Sequence, residues 1–324
     1  MSQTINVTNM VKTKNKIPTL APPSLLGWLG EFRRDPLGVM TRTREFGDVV
    51  RLPMGPQSFY VVNEPASIQR ILQDNHRNYS KATRALKMIK QVSGENIFTG
   101  EGEFWLKRRR LMQPMFHRQQ IVMFGTVMQQ AAQELLNEWD ASANSIVNVD
   151  AEMMRVTLKI VGRALFSVDF NAEIETLGEN FSIGNEDLTF RIRHPFYPPR
   201  FVPTPRNRRA QAARQINSDI ILRIILERQA SGAPQRDLLA LLMAMRDEET
   251  GEGLTEQELY RETLVMLFAG HETTSNALTW ACYFISQHPD VERKLRAELD
   301  SVLQGRAPSL EDIPQLTYTR RVLD

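Results

Sequence analysis

The sequence predicts a mainly α-helical protein with a small β side sheet. Three observations carry this. A single hairpin pattern lies near the N-terminus. Beyond about residue 100, apolar residues recur at three- and four-residue spacing through one segment after another. One long stretch, Thr255 to His288, has a helix start signal at one end and a stop signal at the other. A few strands followed by many helices give this fold class.

Composition bounds what the chain does. Its 324 residues suffice for a large buried core, and 42% apolar with 24% charged residues is ordinary for a soluble globular protein. Basic and acidic residues, 40 and 38, nearly balance, so no nucleic-acid partner is expected. Cys282 is the only cysteine, which excludes a disulfide framework and agrees with a reducing compartment. The first twenty residues are polar and contain no apolar run of signal-peptide length. Nowhere is there an uninterrupted apolar run long enough for a spanning helix. The expectation is a soluble, cytoplasmic protein with no transmembrane anchor.

Residues 1–20 read as a disordered lead-in, and 21–324 as the folded part. Ala21-Pro22-Pro23 is extended, because a residue before proline avoids the helical region. A short helix covers Pro36 to Glu45 and ends at Gly47. Val49 to Met54 and Ser58 to Val62 are strands, with Gly55-Pro56-Gln57 as the turn. Asn63-Glu64-Pro65 opens another helix. Helical spacing then runs through Gln119–Trp139, Ala151–Phe166, Gln211–Gln229 and Asp237–Met245. The stretch from Pro195 to Pro205 holds five prolines and is a loop carrying Phe196, Tyr197 and Phe201.

The stretch from Thr255 to His288 is the most informative. Thr255 and Glu258 have capping-box spacing, and Pro289 stops the helix. About 34 residues give a helix of roughly 50 Å. Leu264 to Phe268 before, and Ala277, Leu278, Trp280 and Ala281 after, make it apolar nearly all round, hence buried. In its middle sits Ala269-Gly270-His271-Glu272-Thr273-Thr274-Ser275-Asn276. A polar cluster inside a buried helix is costly unless something satisfies it, and Gly270 weakens the helix further. Local rules that fail together mark function. Thr273 has a second reading, as a buried hydroxyl that merely satisfies the helix backbone. A zinc site is excluded: His271-Glu272 begins H-E-x-x-H, but the fifth position is Ser275.

The run Ala269 to Thr274, AGHETT, resembles the oxygen-binding helix of the cytochrome P-450 family, A/G-G-x-D/E-T-T/S. Trp105 and Arg109 resemble its W-x-x-x-R, on the helix against the haem, and share a face at i, i+4 spacing. Leu111 to Phe116, LMQPMF, resembles the continuation of that motif. The hairpin, Pro203–Gln229, His288–Val291 and Ile313–Tyr318 add matches in the family's order, so the resemblance covers about residues 20–324.

The resemblance implies the cytochrome P-450 fold, incomplete at the C-terminus. It implies haem b and a monooxygenase that inserts one atom of O2 into a small apolar organic substrate. Electrons would come from a ferredoxin, flavodoxin or reductase-type donor. Thr273 and Glu272 become the alcohol–acid pair that delivers protons, and Ala269 and Gly270 the small residues that leave room for dioxygen. Trp105 and Arg109 become donors to a haem propionate; the other reading is a solvated basic face anchored by Trp105. Lys107, Arg108 and Arg110 point elsewhere around that helix, either to receive an acidic electron-transfer partner or as plain solvated charge. Met88, Phe98 and the Phe196–Phe201 loop are candidates to line an apolar pocket. A distortion of the long helix is expected near Ala269–Thr273, where a threonine hydroxyl bonds back to the carbonyl four residues earlier.

The family's E-x-x-R and its cysteine loop are not found in the sequence. The expectation is therefore an incomplete, inactive piece, with the axial cysteine beyond residue 324 and no metal ligand in this chain. Cys282 falls about half a turn from Thr273 and is expected to be a buried structural cysteine. The alternative is a non-catalytic helical binding or interaction protein derived from the same fold.

Overall fold

The computed structural model describes residues 17–21, 28–54, 57–141, 146–170, 173–194, 196–231, 237–246, 251 and 253–324. Two compact units divide the chain, residues 1–81 and 82–324.

In the first unit, α1 (Leu29–Arg34) and α2 (Pro36–Thr43) precede the hairpin of β1 (Val49–Met54) and β2 (Gln57–Val62), and α3 (Pro65–Gln69) follows it. Asp35 starts α2 by accepting the Gly38 N–H at 2.9 Å, and Pro36 occupies the first helical position. The strands pair antiparallel, from Val49 opposite Val62 to Met54 opposite Gln57. Alternation turns Val50 and Leu52 inward, onto Leu20, Trp28 and Val39. Thr19 bridges Arg51 in parallel and Leu20 is buried, so the predicted lead-in is too long by at least these two residues. Residues 1–16, the Pro22-Pro23 step and the Gly55-Pro56 turn lie outside the described residues.

The second unit is helical. It contains α4 (Arg84–Ser93), α5 (Gly102–Met112), α6 (Arg118–Ala141), α7 (Val149–Phe166), α8 (Ile174–Arg193) and α9 (Pro205–Ser231). It continues with α10 (Leu238–Ala244), α11 (Glu256–Gln287), α12 (Pro289–Leu303) and α13 (Thr317–Leu323). The core is built from α7 to α11, with Leu158, Phe166, Leu177, Ile221, Leu239 and Leu267 fully buried. The most extensive helix contact is between α7 and α11, followed by α8 on α9. Helix α8 has no counterpart among the predicted helices. Its inward face carries Asp187 and Arg191, which pair with each other and hide the apolar period. Pro289 both stops α11 and opens α12. From α12, the Glu298 carboxylate accepts the N–H groups of Tyr318 at 2.6 Å and Thr319 at 2.8 Å, capping α13. No helix among the described residues is long and apolar enough to cross a membrane.

Candidate functional site

The site is built on α11. Thr255 accepts the Glu258 N–H at 3.2 Å and the Glu258 carboxylate accepts the Thr255 N–H at 3.0 Å, closing the predicted capping box. The first half of the helix buries Leu259, Glu262, Thr263, Val265 and Leu267, and then His271 and Ser275. Beyond Ser275 it has no buried residue. Trp280, Tyr283 and Phe284 are 57%, 52% and 53% exposed, and pack on one another with ring centroids 5.5–5.7 Å apart. The helix is therefore buried on one face over its first half and open over its second, not buried all round. Cys282 lies on this open half and is exposed, which corrects the expectation of a buried cysteine.

The polar centre is satisfied mostly by the helix itself. Thr273 Oγ1 donates to the Ala269 carbonyl at 2.7 Å, and Thr274 Oγ1 to the Gly270 carbonyl at 3.1 Å. The helix nevertheless stays α-helical through Ala269–Thr273, without the predicted distortion. A carbonyl oxygen has two lone pairs and accepts the hydroxyl beside its helical N–H. Ala269 and Thr273, one turn apart, are both exposed on the open face. Gly270 faces α7: a Cβ there would stand 3.0 Å from Val161 Cγ2. Its small size serves the close approach of α7 and α11, and Ala269 is the small residue beside Thr273.

Glu272 is half-buried. Its Oε1 accepts from Asn185 Nδ2 of α8 at 2.5 Å, while its Oε2 is buried with no partner among the described residues. Burial raises the carboxyl above its ordinary range; the Asn185 bond opposes this and the charge of Asp150 adds to it. His271, which the sequence reading used only to exclude zinc, is fully buried. Its Nδ1 lies 2.8 Å from the Leu267 carbonyl and must donate there, leaving Nε2 as a bare acceptor among apolar rings. Burial lowers its pKa and keeps it neutral.

On α5, the Arg109 guanidinium lies 5.2 Å from the centre of the Trp105 ring, so the pair does share a face. Arg108 departs from the sequence reading. It is buried, with an ion pair to Glu258 at 2.5 Å and another to Glu262 at 3.5 Å. It joins α5 to α11 and is neither a docking charge nor a solvated one. Glu262 also accepts the Ile97 N–H at 3.0 Å. Burial raises Glu262, whereas the capping N–H, the Thr255 hydroxyl and Arg108 outweigh burial at Glu258 and hold it low. Lys107 and Arg110 remain exposed. Of the pocket candidates, Met88 is half-buried, but Phe98, Phe196 and Phe201 are 52%, 97% and 86% exposed.

Ala269, Gly270, Glu272 and Thr273 thus sit together on α11, and Trp105 and Arg109 together on α5. Sequence reasoning missed Asn185 and the Arg108–Glu262 link, because partners far apart in the chain leave no local pattern.

Residues 18–324 match the cytochrome P-450 family profile. The chain belongs to the cytochrome P-450 family. It is 33% identical over 291 residues to cyclooctatin synthase of Streptomyces melanosporofaciens, covering 89% of this chain and 63% of that protein. It is 30% identical over 300 residues to cyclooctat-9-en-7-ol 5-monooxygenase of the same organism, covering 92% and 64%. Pentalenene oxygenase of Streptomyces avermitilis is 29% identical over 301 residues, covering 92% and 66%. The chain therefore spans less than two thirds of the length of these relatives. Family membership accounts for the helical fold with its small hairpin, and for a helix with a Gly–x–acid–Thr centre as its longest element.

Proposed function

We propose that the chain forms the oxygen-facing side of a haem monooxygenase that inserts one oxygen atom from O2 into an apolar organic substrate. Haem, when bound, supplies the redox chemistry of oxygen activation. The single observation that carries the reading is the pairing on α11 of an exposed Thr273 hydroxyl with a half-buried Glu272. Thr273 Oγ1, held on the Ala269 carbonyl, has its lone pairs left to accept a proton donor such as water. Burial raises the pKa of Glu272 and so favours its protonated form more than for an ordinary carboxyl, and Oε2, without a partner among the described residues, is the atom that would take up and release the proton. Asn185 fixes the other oxygen and so the orientation of the carboxyl.

The residues present fit haem. The open face of α11, with Ala269, Thr273, Trp280 and Phe284 in line along it, is a mostly apolar exposed strip suited to cover a flat apolar ring. Trp105 and Arg109 bring an indole N–H and a guanidinium to one face of α5, both donors suited to a propionate. We assign the axial thiolate to a residue other than Cys282. That cysteine lies on the same helix as Thr273, the residue this reading sets on the oxygen side, and so it would not be the residue that holds the haem. Electrons come from a ferredoxin-, flavodoxin- or reductase-type donor, for which exposed Lys107 and Arg110 offer positive charge. The names of two relatives specify an unsaturated hydrocarbon and an unsaturated alcohol, and substrates of that class suit this reading.

The test uses the full-length enzyme. Thr273→Ala and Glu272→Gln leave haem content near normal and lower the product formed per NAD(P)H consumed, the rest appearing as peroxide. Unchanged coupling in both variants removes the alcohol–acid assignment. Arg109→Ala lowers haem retention by about 1.5–3 kcal/mol, the worth of a charge-assisted hydrogen bond. Residues 1–324 alone give no thiolate-type band in the reduced carbon monoxide difference spectrum; such a band would make Cys282 a ligand.

A further inference from the structure

The corner where α8, the loop after it and α9 meet holds an unusual imbalance of charge. Asp187 is 2% exposed, and three guanidinium groups converge on its Oδ2. Arg191 reaches it at 3.0 Å, Arg200 at 3.6 Å and Arg214 at 4.0 Å. Arg191 is fully engaged. Its Nε bonds Asp187, its Nη1 donates to the Pro198 carbonyl at 3.2 Å, and its Nη2 donates to Asn207 Oδ1. Asn207 in turn donates to the carbonyls of Pro199 at 2.8 Å and Val202 at 2.7 Å, which fixes the loop.

Arg200 and Arg214 are different. Both stand farther from the carboxylate than a good hydrogen bond allows. Arg200 Nε is buried and has no partner among the described residues. Burial, and the like charge of Arg191 with it, lowers the pKa of Arg200; burial likewise lowers Arg214. A guanidinium does not deprotonate under physiological conditions, so this surplus cannot be titrated away. One carboxylate facing three fixed cations leaves room for one more anion. The side chains of Arg200 and Arg214 remain 23% and 31% exposed, so their forks are reachable from solvent. The start of α9 adds Arg206 and Arg208, whose field draws anions toward this corner.

We propose that this corner is a binding site for a small oxyanion, a phosphate or carboxylate group, held by Arg200 and Arg214 beside Asp187. The two forks match the paired oxygens of such a group, and the buried Nε gains the acceptor it lacks. Arg191 and Asn207 are positioning residues that hold the loop so that Arg200 faces the site.

The proposal is tested by the unfolding midpoint of the full-length protein, titrated with inorganic phosphate and separately with acetate. Sodium chloride of matched ionic strength and pH is the reference. At least one oxyanion raises the midpoint in a saturable way, and the stronger of the two names the class. Arg200→Gln and Arg214→Gln each weaken the apparent affinity on the order of tenfold, the worth of one charge-assisted bond. Arg209→Gln, on the same helix but paired with Glu186 at 3.9 Å, leaves it unchanged. Three outcomes overturn the site: no oxyanion exceeds chloride, the two Gln variants keep the effect, or Arg209→Gln removes as much of it as they do.

Discussion

Two buried charge networks in the helical unit are unbalanced in opposite directions. Around Arg108, two carboxylates, Glu258 and Glu262, share one guanidinium. Around Asp187, one carboxylate serves three guanidinium groups. A surplus of carboxylate can be relieved from within, because a buried carboxyl takes up a proton; Glu262 has been pushed up accordingly. A surplus of guanidinium has no such relief. The first network is therefore complete as it stands, and the second calls for something from solution.

The largest expected effect separates the two by removing the central group of each. Asp187→Ala leaves three cations around an empty centre and lowers unfolding free energy by about 3–5 kcal/mol, and the guanidinium groups that remain cannot shed their charge to relieve the loss. Arg108→Ala costs a similar amount where Glu262 is ionised, but the loss shrinks as pH falls and Glu262, its pKa raised by burial, takes up a proton. Denaturant unfolding at several pH values checks both. Equal pH dependence in the two variants would erase the distinction.

A smaller effect follows at Glu262 itself. Because its folded pKa lies above the ordinary value of 4.5, the stability it contributes is complete below that value and falls as pH rises through the folded one. Glu262→Gln keeps an acceptor for the Ile97 N–H and removes the ionisation. It changes stability by less than about 1 kcal/mol near neutrality and flattens the pH profile. A loss as large as that of Arg108→Ala would show that the charge of Glu262 is needed.

The smallest effect is at the rim of the other network. Arg200→Gln removes a surplus cation and, without added oxyanion, leaves stability within about 0.5 kcal/mol of the parent or slightly above it. A loss of several kcal/mol would mean that Arg200 is a structural member like Arg191.

The same contrast explains what the sequence made legible. The hairpin, the capping box and the Ala269–Thr274 centre are local patterns, and each stands where spacing placed it. Trp105 and Arg109 were readable for the same reason, being one helical turn apart. Arg108 was misread because a basic run looks alike whether one member is buried or none; its partners lie about 150 residues on. Asn185 has no local signature, since its meaning comes from Glu272 on another helix. Helix α8 escaped because its buried positions include Asp187, Arg191 and Gly178, which no apolar period detects. The exposure of Trp280, Tyr283 and Phe284 was hidden because hydropathy marks a surface as needing cover without saying what covers it.

The dominance of the α7–α11 contact bears on how the chain reaches this state. The two helices are separated by all of α8, α9 and α10, so their pairing must close a long loop before any of it is rewarded. Contacts of such separation slow folding. During synthesis α7 leaves the ribosome well before α11, and its inner face, with Leu158 and Val161, waits without a partner. Val161 packs directly on Gly270, where an added Cβ would stand 3.0 Å from its Cγ2. The glycine that lies beside the candidate catalytic pair is thus also a place where late docking leaves little room for added bulk. A side chain added there should slow the maturation of the protein as well as perturb its chemistry.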